Sequence, residues 1–92
     1  MAHTIKNKAH LLHRVRRLKG QVEAIERALD QEADCGTVFQ QISACRGAIG
    51  GLMSEIIEGH IRMHIVPAGT PDDSEQAAAA QQLIDVLKTY LK

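Results

Sequence analysis

Two long stripes of apolar residues, each spaced alternately by four and three positions, constrain this chain more than any other feature. This spacing keeps the apolar side chains on one side of an α-helix and repeats every seven residues. No segment alternates polar and apolar residues as a half-buried strand does. The chain is therefore predicted to be all-α. The first stripe is Leu11, Val15, Leu18, Val22, Ile25 and Leu29, and the second is Val38, Ile42, Cys45, Ile49, Leu52 and Ile56.

Short polar segments separate the predicted helices. DQEADCG interrupts the first stripe, and its Asp34 is a favourable N-cap, which places Cys35 in the first turn of the second helix. Pro67 and Gly69 stop that helix, and PDDSEQ opens a third one. The pattern predicts three helices, at roughly residues 5–30, 35–65 and 74–91.

A single domain, residues 1–92, is too small to bury a large core alone, so oligomerisation or a metal is expected to supplement it. Two amphipathic helices do not close a four-helix bundle. We therefore expect an antiparallel four-helix-bundle dimer, with the third helix joining dimers into a tetramer. Gly47, Gly50 and Gly51 lie within the second helix, where they favour close approach of another helix over a tolerated kink.

The charges are unevenly distributed although the net charge is zero. No acid precedes Glu23, and the only aromatic residues are Phe39 and Tyr90, so stacking on single-stranded bases is not expected. Duplex DNA held through its phosphates is favoured over a merely solvated face, because no nearby acid is expected to neutralise Arg14, Arg17 or Lys19. His10 and His13 are expected to be simply solvated beside this surface. The basic residues before position 20 are Lys6, Lys8, Arg14, Arg16, Arg17 and Lys19; the predicted DNA contacts are Arg14, Arg17, Lys19 and Arg46.

Histidine and cysteine side chains suggest a metal site. His60 and His64 are four residues apart on one helix face, where both imidazoles can bind one ion, although such a pair is also common on exposed surfaces. Cys35, near a helix N-terminus, is a candidate thiolate ligand or a small packed residue, whereas Cys45 falls in the apolar stripe and is expected to pack in the core. Cys35 and His60 are separated by about 37 Å along one helix. They can share an ion only if an antiparallel partner supplies one of them.

No apolar run approaches the roughly 18 residues of a membrane span, and basic residues interrupt any leader-like segment. We therefore expect a cytoplasmic protein with reduced cysteines and no membrane partner.

Three segments of the chain resemble the CsoR/RcnR family of bacterial metal- and aldehyde-responsive repressors. They are VRRLKGQVEAIERAL, CGTVFQQISACRGAIGGLMSEIIEGHI and the final YLK. The resemblance implies a disc-like all-helical tetramer of antiparallel dimers. It also implies a non-enzymatic function, in which the ligand-free protein binds operator DNA and releases it when the effector binds, so that metal efflux genes are derepressed.

The ligand positions distinguish subclasses within the family. Copper sensors carry Cys-His-Cys, but His64 stands at the third position, and formaldehyde sensors have Pro where Ala2 stands and typically Glu in place of His64. Nickel/cobalt sensors carry an early HTI followed by Cys, His and His, as this chain does. The resemblance implies nickel or cobalt as the effector, and Met63, which stands where such sensors can carry an acid, leaves the choice between them open. The implied metal ligands are His3, Cys35, His60 and His64.

Two other functions remain open at this point. One is a formaldehyde-responsive repressor that uses Cys35 and the N-terminal amine. The other is a metal-storage or chaperone bundle with no role on DNA, against which the basic N-terminal half counts.

Overall fold

Three helices account for most of the described chain in the computed structural model, which describes residues 7–67 and 69–91. Helix α1 spans Lys8–Asp30, α2 spans Cys35–His60 and α3 spans Glu75–Tyr90. A π-helical turn, Ile61–Ile65, continues α2. The all-α prediction is confirmed, and the predicted start of the first helix near residue 5 lies outside the described residues.

Side-chain caps begin the second and third helices. The carboxylate of Asp34 accepts a hydrogen bond from the Thr37 backbone N–H at 3.1 Å and another from the Thr37 hydroxyl at 2.7 Å. These two bonds hold the pKa of Asp34 below its ordinary value. The Ser74 hydroxyl likewise accepts from the Ala77 N–H at 3.1 Å, so α3 begins one residue later. The predicted cap at Asp34 is confirmed.

A tight turn reverses the chain between α1 and α2. Glu32 adopts the left-handed conformation with φ 58°, which a helix C-terminus commonly requires. The Ala33 N–H donates to the Ala28 carbonyl at 2.8 Å, and the Glu32 N–H donates to the Leu29 carbonyl at 3.1 Å. This pair of bonds satisfies two carbonyls in the last turn of α1 at the point where the chain turns back to begin α2.

The two heptad stripes divide into an inner and an outer half. In each stripe, alternate members face the other helix of the hairpin and are buried or half-buried, while most of the remaining members are exposed. The protomer therefore buries only half of the apolar pattern that its sequence carries. The inner members are Leu11, Leu18, Ile25, Val38, Cys45 and Leu52, and the exposed members are Val15, Val22, Leu29, Ile42 and Ile49.

A closed apolar cluster lies where α3 packs against the end of α2. Ile84 is 0% exposed and Ile61 2% exposed, and both pack with Ala80. Ile57, Val66 and Leu87 surround them. Gly69, with φ 81°, lies in the connection that returns the chain to this contact.

The protomer is an elongated slab of 55 × 25 × 14 Å, with a radius of gyration of 17.2 Å. A compact chain of this length would have a radius of gyration of about 12 Å. No helix in the described part is long and apolar enough to cross a membrane. The elongated shape and the exposed apolar face are consistent with assembly into an oligomer. The predicted dimer and tetramer stay predictions.

The glycines of α2 do not break the helix, which runs uninterrupted past Gly50 and Gly51. Gly50 is buried. A Cβ at Gly51 would lie 3.4 Å from the guanidinium of Arg14, whereas a Cβ at Gly47 would meet nothing within 4 Å among the described residues. The contact at Gly51 is ordinary van der Waals contact with the end of a side chain of α1, so the predicted close approach of a second helix backbone stays a prediction.

Candidate metal centre and nucleic-acid interface

The two predicted histidine ligands lie together at the end of α2. His60 is its last residue and His64 lies in the π-helical turn. Their ring centroids are 5.2 Å apart and the rings are tilted by 37°. An ion about 2.0–2.1 Å from one nitrogen of each ring is compatible with this separation. The structure therefore brings these two side chains together as the spacing predicts.

Cys35 lies at the opposite end of the same helix. It is the first residue of α2 and is exposed, so its thiol is accessible beside the helix N-terminus. Because α2 is continuous, Cys35 and His60 remain separated by about 37 Å within one protomer. Among the described residues no three His, Cys, Asp or Glu side chains are grouped to hold a metal ion. The donor set therefore fits an ion only if a second copy brings its Cys35 to these histidines.

Cys45 and His3 are the two remaining candidate residues, and only Cys45 lies within the described part of the chain. Cys45 is buried, as its place in the apolar stripe predicts. His3 lies outside the described residues, so its assignment as a ligand remains a prediction.

Two of the four predicted DNA contacts lie side by side. Arg14, Arg17 and Gln21 form a ridge on α1 and, with Ala48 of α2, line a cavity of about 180 Å³. Lys19 and Arg46 are exposed and do not line the described wall of this cavity. From Arg14 to Lys19 the helix turns by about 140°, so the two side chains leave α1 in different directions.

An acid from α2 meets the basic end of α1, which the sequence did not suggest. Glu55 Oε1 lies 2.8 Å from His10 Nε2, and Arg14 Nη1 donates to Glu55 Oε2 at 3.0 Å. The expectations that no acid neutralises Arg14 and that His10 is simply solvated are therefore wrong. Glu55 is 41 residues from Arg14 in sequence, and only the antiparallel hairpin brings the two together.

A second ion-pair cluster ties α3 to α2 beside the histidines. The Glu58 carboxylate lies 2.6 Å from Lys88 Nζ and 3.6 Å from Arg62 Nε. The hydrogen bond from Lys88 is the main cause of a lowered Glu58 pKa, which partial burial opposes. Arg62 also donates to the Gln81 side chain. The helix end that carries His60 is thus held against α3.

A family model described as a metal-sensitive transcriptional repressor matches residues 7–89. The chain belongs to this family. The match confirms the resemblance to CsoR/RcnR proteins, and its members are repressors of transcription, so the functional description as a metal-sensitive repressor is also confirmed.

Several known proteins are similar to this chain over its whole length. The transcriptional repressor RcnR of Salmonella arizonae and that of Escherichia coli K12 are each 41% identical over 92 residues, covering 100% of both chains. A protein encoded in the bioA 5′ region of Serratia marcescens is 50% identical over 93 residues and is likewise matched completely.

A solved structure shares the fold. It is a variant of the formaldehyde-responsive regulator FrmR from Salmonella enterica serovar Typhimurium in which a glutamate is replaced by histidine. It is 44% identical to this chain, covers 95% of it and 96% of itself, and superposes with a TM-score of 0.65. The fold of the protomer thus recurs in a formaldehyde-responsive regulator.

Proposed function

We propose that the protein is a nickel- or cobalt-responsive repressor that binds operator DNA as an oligomer when metal-free. Metal binding then releases the DNA and derepresses metal efflux genes. The observation that carries this proposal is the His60–His64 pair at one end of an unbroken α2, with an exposed Cys35 at the other end. This arrangement, in a chain of the metal-sensitive repressor family, suits an ion held between two protomers.

The proposed metal ligands are His60 and His64 of one protomer and Cys35 of its partner, with His3 as a fourth ligand. Imidazoles with one thiolate suit borderline divalent ions such as nickel and cobalt, whereas copper(I) prefers a thiolate-rich set. When bound, the ion links the two protomers by coordinating side chains from both. The similarity to RcnR repressors supports a site of this type.

The proposed DNA surface comprises basic side chains of α1 and α2. Arg14 and Arg17 share a ridge, and the exposed Lys19 and Arg46 add positive charge elsewhere on α1 and α2. Such side chains neutralise phosphates and release counterions, which contributes affinity without sequence preference. Because a repressor acts on chromosomal DNA, we also propose the cytoplasm as its location. The dimer and tetramer are part of this proposal, because the protomer leaves one apolar face uncovered.

A second candidate effector is formaldehyde. The fold is similar to that of a formaldehyde-responsive regulator, and the Cys35 thiol is exposed at a helix N-terminus, where a nucleophile is accessible. In this alternative Cys35 acts with the N-terminal amine and His64 is not required. His64 therefore separates the two effectors.

The direct test is operator release, with an operator selected from genomic fragments by the metal-free protein. The complex is titrated separately with nickel, cobalt, zinc, copper(I) and formaldehyde, using the wild type and His64→Ala. We expect nickel or cobalt to release the wild type but not the variant, while metal-free binding is retained. Release of both proteins by formaldehyde, with no response to nickel or cobalt, would favour the formaldehyde sensor.

A parallel measurement tests the DNA surface. Arg17→Ala should weaken binding and flatten its salt dependence by about one counterion per contact. Arg27→Ala removes the same charge from the last turn of α1 and is the matched control, expected to behave like the wild type. If the wild type binds metal but no duplex, the protein is a storage or chaperone bundle instead.

A further inference from the structure

Glu55 makes two contacts with α1, one through each carboxylate oxygen. Oε1 lies 2.8 Å from His10 Nε2, and Oε2 accepts a hydrogen bond from Arg14 Nη1 at 3.0 Å. The Glu55 side chain is 27% exposed, while those of His10 and Arg14 are more open. The carboxylate is therefore fixed by two partners at the edge of the basic surface.

This pairing sets Arg14 apart from the rest of the basic stretch. Within the described residues, Lys8, Arg16, Arg17 and Lys19 have no ion pair. Among the described residues, Glu55 is thus the acid that forms an ion pair with this basic stretch of α1. Its arginine partner, Arg14, also lines the cavity.

Gly51 of α2 lies beside the guanidinium of Arg14. It lies one turn before Glu55 on the same face of α2, and a Cβ there would be 3.4 Å from both terminal nitrogens of Arg14. The guanidinium therefore lies close to α2 at Gly51 while Glu55 accepts a hydrogen bond from one of its nitrogens. The guanidinium has five N–H donors, so donors remain for a second anion.

A DNA phosphate that approaches Arg14 meets the carboxylate as well as the guanidinium. The two anions compete for one cation, and they repel each other at the short distances that Arg14 imposes. We propose that Glu55 is an internal counter-ion that competes with DNA phosphates for Arg14 and thereby lowers the DNA affinity of the metal-free repressor. The inference rests on the proposed function, because it requires Arg14 to contact DNA.

An internal competitor for Arg14 would help a repressor that must release its operator DNA when the effector binds. Effectors commonly change the affinity of a regulator about 5- to 150-fold. A protein that binds DNA too tightly would stay bound after a change of that size. An internal anion that trims affinity several-fold keeps release within the range that an effector can produce.

The test uses Glu55→Gln, which keeps the shape and an acceptor oxygen but removes the charge. Binding to a fluorescent mixed-sequence duplex is measured by anisotropy across a series of salt concentrations. We expect binding about three- to ten-fold tighter at low salt, with a steeper salt dependence, because Arg14 then becomes fully available to phosphate. Glu23→Gln is the matched control: it removes the same charge from an exposed site about half a turn away from Arg14 around α1. A smaller gain is expected there.

The Arg14→Ala background tests whether the effect of Glu55→Gln acts through Arg14. In that background Glu55→Gln should gain no more than Glu23→Gln does, because the cation for which Glu55 competes is absent. Glu55→Ala should change affinity in the same direction as Glu55→Gln, and circular dichroism and gel filtration check that each variant is folded and assembled.

The outcomes distinguish the counter-ion role of Glu55 from the place of Arg14 in the proposed DNA surface. Unchanged or weaker duplex binding by both Glu55 variants would overturn the internal counter-ion, and weaker binding would assign Glu55 to orienting Arg14 toward DNA. Unchanged binding by Arg14→Ala would instead remove Arg14 from the proposed DNA surface.

Discussion

The two ends of α2 are stabilised in different ways. At its C-terminal end, α3 covers Ile61 and Ile84 almost completely, and Glu58 pairs with Lys88 across the contact. Along the rest of α2, the hairpin with α1 buries only one side of the apolar pattern, and Ile42 stays 49% exposed. One region satisfies its apolar surface within the chain, whereas the other does not.

This difference indicates where a partner copy belongs. Exposed apolar residues that follow one another at heptad spacing form a continuous strip, which soluble monomers rarely leave open. A second hairpin packed antiparallel on the strip would bury it as a four-helix bundle. The same packing would bring Cys35 of one copy toward His60 and His64 of the other.

The largest effect is expected from a charge placed in the exposed strip. Ile42→Glu should cost about 4 kcal/mol of assembly stability for each copy buried in the bundle, because an unpaired carboxylate loses its water. Gel filtration and sedimentation should show dissociation to a monomer. Gln40→Glu adds the same charge at a neighbouring exposed polar position and should leave the assembly intact. Equal behaviour of the two variants would show that the strip does not form the interface.

A smaller loss is expected at the contact that the chain completes itself. Ile84→Ala should lower the free energy of unfolding by about 3 kcal/mol, because a fully buried side chain leaves a cavity. Leu83→Ala, at an adjacent and 45% exposed position, is the control and should cost clearly less. Thermal or denaturant unfolding measures both. Similar losses in the two variants would mean that Leu83 is also covered in the assembled protein.

The smallest effect concerns the ion pair that ties α3 to α2. Lys88→Gln should cost about 0.5 kcal/mol near neutral pH, because the pair is partly exposed. The pKa of Glu58 is lowered from its ordinary 4.5, so its contribution is present above that value and is lost as the pH falls through the lowered pKa. The wild type and the variant should therefore converge in acid. A difference that persists unchanged there would assign the effect to packing of the lysine stem.

Local chemistry made much of the fold predictable from sequence. The heptad spacing gave α1 and α2, and the polar segment around Asp34 gave the start of α2, because a cap and a helical stripe depend on neighbouring residues. The end of α2 was less predictable: the pattern continued to residue 65, but the last five residues form a π-helical turn. That turn coincides with the packing of Ile61 against α3, which the stripe alone does not encode.

The candidate sites show the same limit. The His60–His64 pair followed from a spacing of four, and the burial of Cys45 followed from its place in the stripe. The contact of Glu55 with Arg14 was missed, since the two residues meet only when the hairpin closes. The sequence predicts that no acid neutralises Arg14, whereas in the structure Arg14 is paired with Glu55. Its environment is therefore the part of the candidate sites that was predicted least well.

The central claim is that two protomers build each metal site, and mixing two defective variants tests it most directly. Cys35→Ala and the double variant His60→Ala with His64→Ala each lack an intact site as homo-oligomers. After refolding together, a mixed dimer pairs one intact Cys35 with one intact histidine pair, so about one site per mixed dimer is expected. The thiolate-to-metal absorption band of added cobalt or nickel reports that site. We predict that the band is absent from each variant alone and appears on mixing; its absence from a verified mixed dimer would contradict the shared site.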